Sequence, residues 1–137
     1  MEEKVNYALE VSCNTMTFLI PLSCIKTIFP YEDCRSVQKG LVRCGDKEIP
    51  GFFLNQILGI TRQSLCVYAI LLQNEDIEAF LFVEDVKALH NLEEREIGLP
   101  GYLKPALASV LSCYMLNEEQ PAFLLDICTL LEQQLHN

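Results

Sequence analysis

The chain has 137 residues, half of them hydrophobic, with five Tyr, seven Phe and no Trp; this is enough for one domain that buries about two-thirds of its extended-chain surface, and it excludes general disorder. Ten Lys and Arg against nineteen Asp and Glu leave a net charge of −9, which disfavours phosphate backbones and anionic membranes as ligands, because both need clustered basic groups. The composition fits a soluble domain that binds protein.

Residues 5–11 are apolar at 5, 7, 9 and 11, the period of a half-buried strand. Cys13-Asn14-Thr15 turns the chain into a second strand over 16–22, where Pro21 marks the end or an edge position. A third strand over 25–29 is cut by Pro30, and 31–39 reads as a polar loop. Residues 40–59 predict strand, turn, strand and short helix. Leu41 and Val42 lead into a Cys44-Gly45-Asp46-Lys47 turn, the chain returns over 49–54, and a helical turn follows with Asn55 as cap and Gly59 as stop.

After a polar break at 61–64, the uninterrupted apolar run 66–72 suits a central strand. A turn at 73–76 leads to a return strand over 77–83, and another strand covers 86–92. Residues 91–100 read as a charged, Gly/Pro-punctuated surface loop, while 102–109 fits helix or loop. Strands over 110–116 and 122–125 flank a turn at 117–120. The tail, 126–135, is apolar at 127, 130, 131 and 135, one face of an amphipathic helix capped by Asp126. Two runs of about five short strands predict a mostly-β fold of two packed units within one domain, 1–137. The approximate halves are 1–62 and 63–137, with room for the C-terminal end to return to the first.

Phe29, Phe52, Phe53, Phe80 and Phe82 lie in strands whose side chains alternate between faces. Phe52 and Phe53 therefore point to opposite sides, which fits either burial on both faces or an exposed aromatic anchor for a partner. Seven cysteines, at 13, 24, 34, 44, 66, 113 and 128, form an odd set without a CxxC pair. That argues against a zinc site and a complete disulfide framework, and for reduced, mostly buried thiols in a cytoplasmic protein. The first four recur every ten or eleven residues, which matches strand spacing.

No GxSxG, GxxxxGK[ST], GxGxxG or HExxH motif is present. His90 and His136 are the two histidines, and neither has a sequence context that marks a catalytic dyad. Glu93-Glu94-Arg95-Glu96 and Glu118-Glu119 read as solvated faces. No basic run is interleaved with aromatics, so no nucleic-acid binding is expected. The acidic N-terminal segment lacks the apolar region of a signal peptide, and the longest apolar segment, 106–116, is too short to span a bilayer. The expectation is no catalytic residue, no cofactor, no metal and no membrane insertion.

The order and spacing of several motifs resemble the CheW family of bacterial chemotaxis coupling proteins over nearly the whole chain. The resemblance rests on Gly40-Leu41-Val42, Ile49-Pro50, Leu54 and Leu58-Gly59, with the ten-residue step from Gly40 to Pro50. It extends to Ile25-Lys26-Thr27-Ile28 upstream, and to Val83-Glu84-Asp85-Val86 and Leu124-Leu125-Asp126 downstream. It implies two five-stranded Src-homology-3-like β-barrels around a hydrophobic junction, with short helices, a C-terminal helix and no enzymatic activity. It also implies an adaptor that bridges the cytoplasmic tips of chemoreceptors and the regulatory domain of a histidine kinase in a two-component system, with pairing between like domains, homo-oligomers included, as an expectation. The alternative is a divergent structural or self-associating β module that no longer couples receptor and kinase. Gly40, Pro50, Leu54, Gly59, Val83 and Asp126 form the implied scaffold.

Several positions depart from the family pattern. Anchored on Gly40 and Pro50, the family's turn Arg falls on Gly45 and its turn Gly on Asp46, whereas a one-residue shift puts that Gly on Gly45. The family's strand-three Glu falls on Thr27 and its strand-end Asp on Phe53, and the loop from Pro30 to Lys39 is shorter than usual. Charges at an interface set partner choice and association rate. Thr27, Phe29, Gly45, Phe53 and Glu84 are accordingly the candidate partner-interface positions, with Phe53 expected on or near the partner surface.

Overall fold

The structure, a computed structural model, describes residues 7–57, 65–92, 110–116 and 120–135. Val5, Gly59, the break at 61–64, the segment 102–109, the acidic pairs at 93–96 and 118–119, and His136 lie outside them.

Eleven strands are formed by the described residues: β1 (Tyr7–Cys13), β2 (Met16–Pro21), β3 (Ile25–Pro30), β4 (Arg35–Gln38), β5 (Leu41–Cys44), β6 (Lys47–Phe53), β7 (Tyr68–Asn74), β8 (Ile77–Val83), β9 (Asp85–Asn91), β10 (Val110–Met115) and β11 (Pro121–Leu125). Two α-helices accompany them, α1 (Leu54–Ile57) and α2 (Ile127–Leu135). The strands make two sheets, ordered β10-β11-β2-β1-β9 and β3-β7-β8-β6-β5-β4. Most neighbours are antiparallel, but β11 runs parallel to β2 and β6 parallel to β8.

The sheets cross the expected division at 62/63. β1 and β2 pair with late strands, and β3 to β8 build the second sheet between them, so one unit is inserted within the other. The second sheet also has a sixth strand. Residues 35–38, expected to be loop, pair with β5 as Arg35↔Arg43 and Ser36↔Val42. All four side chains of β4 are exposed, so an edge strand held only by its backbone ladder gives no period-2 signal. The other difference is at α1, which starts at Leu54, one residue before the expected Asn55 cap.

Each central strand divides its side chains between two interiors. In β8, Ala79, Leu81 and Val83 join the largest core cluster, while Phe80 and Phe82 join a second. β7 alternates in the same way, with Ile70 and Leu72 on one side and Ala69 and Leu71 on the other. In the first sheet, Phe18 and Ile20 face the large cluster and Leu19 faces a third cluster with Ala8, Tyr114 and Leu124. The large cluster draws on both sheets and on Ile127, Leu130 and Leu131 of α2. It is a hydrophobic junction between two Src-homology-3-like units, each with its own interior. Burial on both faces explains why 66–72 reads as an unbroken apolar run and why 79–83 carries no polar residue.

Local chemistry fixes the turns and caps. In α2, the Asp126 carboxylate accepts from the Thr129 N–H at 3.2 Å and the Thr129 hydroxyl at 2.7 Å, the expected cap. The β1–β2 connection has Cys13↔Met16 as its closing pair, with Asn14 and Thr15 at φ +52° and +67°, the two left-handed positions of a primed hairpin turn.

Candidate partner interface

Gly45-Asp46 is a two-residue hairpin turn closed by Cys44↔Lys47. Gly45 has φ +62° and is exposed, the conformation a glycine supplies at the first central position of a type II′ turn. This favours the register in which the turn glycine of the resemblance is Gly45 itself. Below it lies the ring of Phe29, whose Cε1 would stand 3.7 Å from a Cβ at position 45. Phe29 also packs edge-on against Phe80, with centroids 5.9 Å apart. Two of the candidate positions are thereby brought together, and Thr27 is exposed two residues upstream of Phe29 on β3.

Phe53 ends β6, at the opposite end of that strand from Gly45. It is half-buried and packs against Phe82 at 4.9 Å and Tyr31 at 6.2 Å, and Tyr31 in turn meets Phe82 edge-on at 5.0 Å. These rings line a pocket of about 190 Å³ whose other walls are Cys34, Ser36, residues 40–42 and Gly51. Phe52, by contrast, is buried in the junction. The adjacent aromatics thus do point to opposite sides, one into the core and one towards a surface pocket.

Glu84 has a structural use. Its carboxylate accepts from the Asn14 N–H at 2.8 Å, and its own N–H donates to the Ser12 carbonyl at 3.1 Å, which pins the β1–β2 turn. The scaffold positions divide in a similar way. Leu54 and Val83 are buried in the junction, Pro50 pairs with Leu41, and Gly40 takes φ +81° before β5. His90 lies 2.6 Å from a Glu10 carboxylate oxygen across the first sheet.

Sequence reasoning missed Tyr31 and Gly51. Tyr31 sits in a 3-10 turn, Tyr31–Asp33, anchored by its N–H to the Val67 carbonyl at 2.8 Å. An aromatic directly after a strand-ending proline was the available signal. Its phenol is pushed upward in pKa by burial first, then by the neighbouring Cys66 and Cys34. Gly51 is required by space, since a Cβ there would lie 2.7 Å from Val42 Cγ2 and 2.9 Å from Phe82 Cζ.

The resolved thiol shifts give no sign of a cysteine activated for catalysis. Burial pushes Cys24 and Cys113 up, and Cys34 is pushed up to about 12 by burial and by its interaction with Cys44. A catalytic thiolate at neutral pH requires a shift in the other direction, and a thiol raised in this way exchanges only slowly. Among the described residues, no cluster of His, Cys, Asp and Glu could hold a metal ion, and no helix is long and apolar enough to cross a membrane.

Two Src-homology-3-like units packed around a shared apolar junction define the fold class. The chain belongs to the CheW-like domain family, whose model matches residues 8–135. Its fold is similar to the crystal structure of the scaffolding protein TtCheW from Thermoanaerobacter tengcongensis, with a TM-score of 0.74, 14% identity and 89% of each chain covered. No curated protein matches it by sequence.

Proposed function

We propose that this chain is a non-catalytic cytoplasmic adaptor of chemotaxis signalling that bridges a chemoreceptor tip and the regulatory domain of a histidine kinase. The observation that carries this reading is the unbroken family match across 8–135, which spans both units and the junction between them. Bridging needs two docking surfaces held at a fixed angle, and a continuous apolar junction between two β units supplies that rigidity.

In this reading, the partner surface of the second unit is formed by exposed Thr27 and Gly45, supported by Phe29, and by Phe53 at the Tyr31 pocket. An apolar ring at Phe53 where the family carries an acid replaces a steering charge with a desolvated anchor, so the partner should be one adapted to this chain. Capture of the regulatory domain of a chemotaxis kinase by the immobilised protein tests the proposal. Binding by the intact protein that weakens in Phe53→Ala, with an unchanged far-ultraviolet dichroism spectrum, supports it. Absence of capture together with a stable homo-oligomer in size-exclusion chromatography would overturn it in favour of a self-associating module.

A further inference from the structure

Four cysteines of the first half recur at near-regular intervals, and two of them are placed face to face by the β4–β5 ladder. Continued one residue past the end of β4, the register Arg35↔Arg43 and Ser36↔Val42 sets Cys34, extended at φ −94° and ψ 140°, opposite Cys44. Opposite residues of an antiparallel pair direct their side chains to the same face, and both cysteines pack in the interior cluster of the second unit. The two thiols are close enough that Cys44 raises the pKa of Cys34.

The backbone bonds identify the type of pair. On the β6 side, the Gly51 N–H donates to the Gly40 carbonyl at 3.1 Å. Hydrogen-bonded and non-bonded pairs alternate along an antiparallel ladder, so Gly40↔Gly51, Val42↔Ile49 and Cys44↔Lys47 are the bonded ones. The backbone groups of Cys44 therefore point towards β6, away from β4. On the other strand, the Cys34 N–H is used by the Tyr31 carbonyl at 3.0 Å. Cys34 and Cys44 are thus a non-hydrogen-bonded pair, the class whose Cα atoms approach to about 4.5 Å, inside the window of about 4.4–6.8 Å that a disulfide requires.

We propose that Cys34 and Cys44 form a reversible dithiol–disulfide site, oxidised by low-molecular-weight disulfides, that ties the edge strand β4 to the body of the second unit. Cys34 is the entry point, because it lines the surface pocket while Cys44 is only 1% exposed. Exchange starts from the minor thiolate fraction of Cys34 and is slow near neutral pH: that thiolate attacks one sulfur of the small disulfide, whose S–S bond breaks and releases one small thiolate. The Cys44 thiolate then attacks the Cys34 sulfur of the mixed disulfide and expels the second small thiolate. Two electrons pass from the protein to the oxidant, and the two thiol protons end on the two released thiols. Closure fixes Cys34 and Ser36 relative to Val42, and so fixes one wall of the pocket beside Phe53. The site stands independently of the receptor–kinase reading, since it depends on strand register alone.

The test equilibrates full-length native protein in glutathione buffers from reducing to oxidising, followed by acid quench, alkylation and peptide mapping by mass spectrometry. The expected product is a Cys34–Cys44 cross-linked peptide lighter by two hydrogens, dominant among intramolecular links in native protein and scrambled with other pairings in urea. It is lost in Cys34→Ser, and oxidation raises the melting temperature of the wild type but not of that variant. Dominance of another pairing, such as Cys24 with Cys128, whose charges also interact, would overturn the proposal. Arrest at a mixed disulfide with glutathione on Cys34 would do the same.

Discussion

At position 51 a methyl group has no room, because Val42 and Phe82 already stand within 3 Å of where it would go. Gly51→Ala is expected to destabilise the protein by about 1–3 kcal/mol, the usual cost of overpacking, read as a lower denaturation midpoint at unchanged m-value. Cys34 links stability to pH. Its folded-state pKa is raised from 9.0 to about 12, so unfolding in that window releases a proton. Stability is therefore complete below about pH 9 and falls as pH rises towards 12. Thermal melts across this range should show an alkaline decline that is shallower in Cys34→Ser. At this scale the sequence exposed the anomalies but not their uses. Phe53 stood out because the family pattern has an acid there, and Gly45 because one of two open registers set the family's Arg on it, yet the ring beneath Gly45 and the pocket beside Phe53 depend on Phe29, Tyr31 and Phe82, which arrive from β3, the turn after it and β8. Glu84, an interface candidate, also holds the Asn14 N–H, a contact that only the fold creates.

Strands and turns differ in how openly they are written. β7 was legible as a continuous apolar run, β8 as the return strand after the 73–76 turn, and α2 as a stripe with its cap, because burial dictates most of their residues directly. β4 was not, since Arg35-Ser36-Val37-Gln38 buries nothing and owes its form to the neighbouring strand. The β1–β2 turn is held against its own preference: Thr15 is β-branched at φ +67°, a strained combination. Two substitutions bracket this element. Thr15→Gly should raise the melting temperature, with a gain of about 1 kcal/mol from relieved strain. Glu84→Ala should lower it by about 1–3 kcal/mol, since the loss removes a charge-assisted bond to a turn N–H. A Glu84→Ala variant of unchanged stability but poorer partner capture would return this residue to the interface.

Across the molecule, the apolar junction joins both sheets and α2 into one cooperative body. Leu81 is fully buried in it, and Leu81→Ala should cost about 2–5 kcal/mol. The loss should appear as one earlier transition, coincident by near-ultraviolet and far-ultraviolet dichroism, because neither unit keeps its core when the junction is lost. The chain's number of units and its β content were readable from strand spacing. The return of the C-terminal strand to the first unit, Thr17↔Ala122, was left open, whereas the joining of β3–β6 with β7 and β8 in one sheet was not foreseen, because that pairing leaves no mark on either segment taken alone.

That interleaving orders the birth of the molecule. As the polypeptide emerges from the ribosome, β3 to β8 form one contiguous stretch able to close on itself. The β1–β2 hairpin, made earlier, must keep both its apolar faces waiting until β11 is released. The inserted unit is therefore the natural nucleus. The enclosing unit, though first to be synthesised, is last to be completed, and its exposed hairpin is the segment most in need of a chaperone during synthesis.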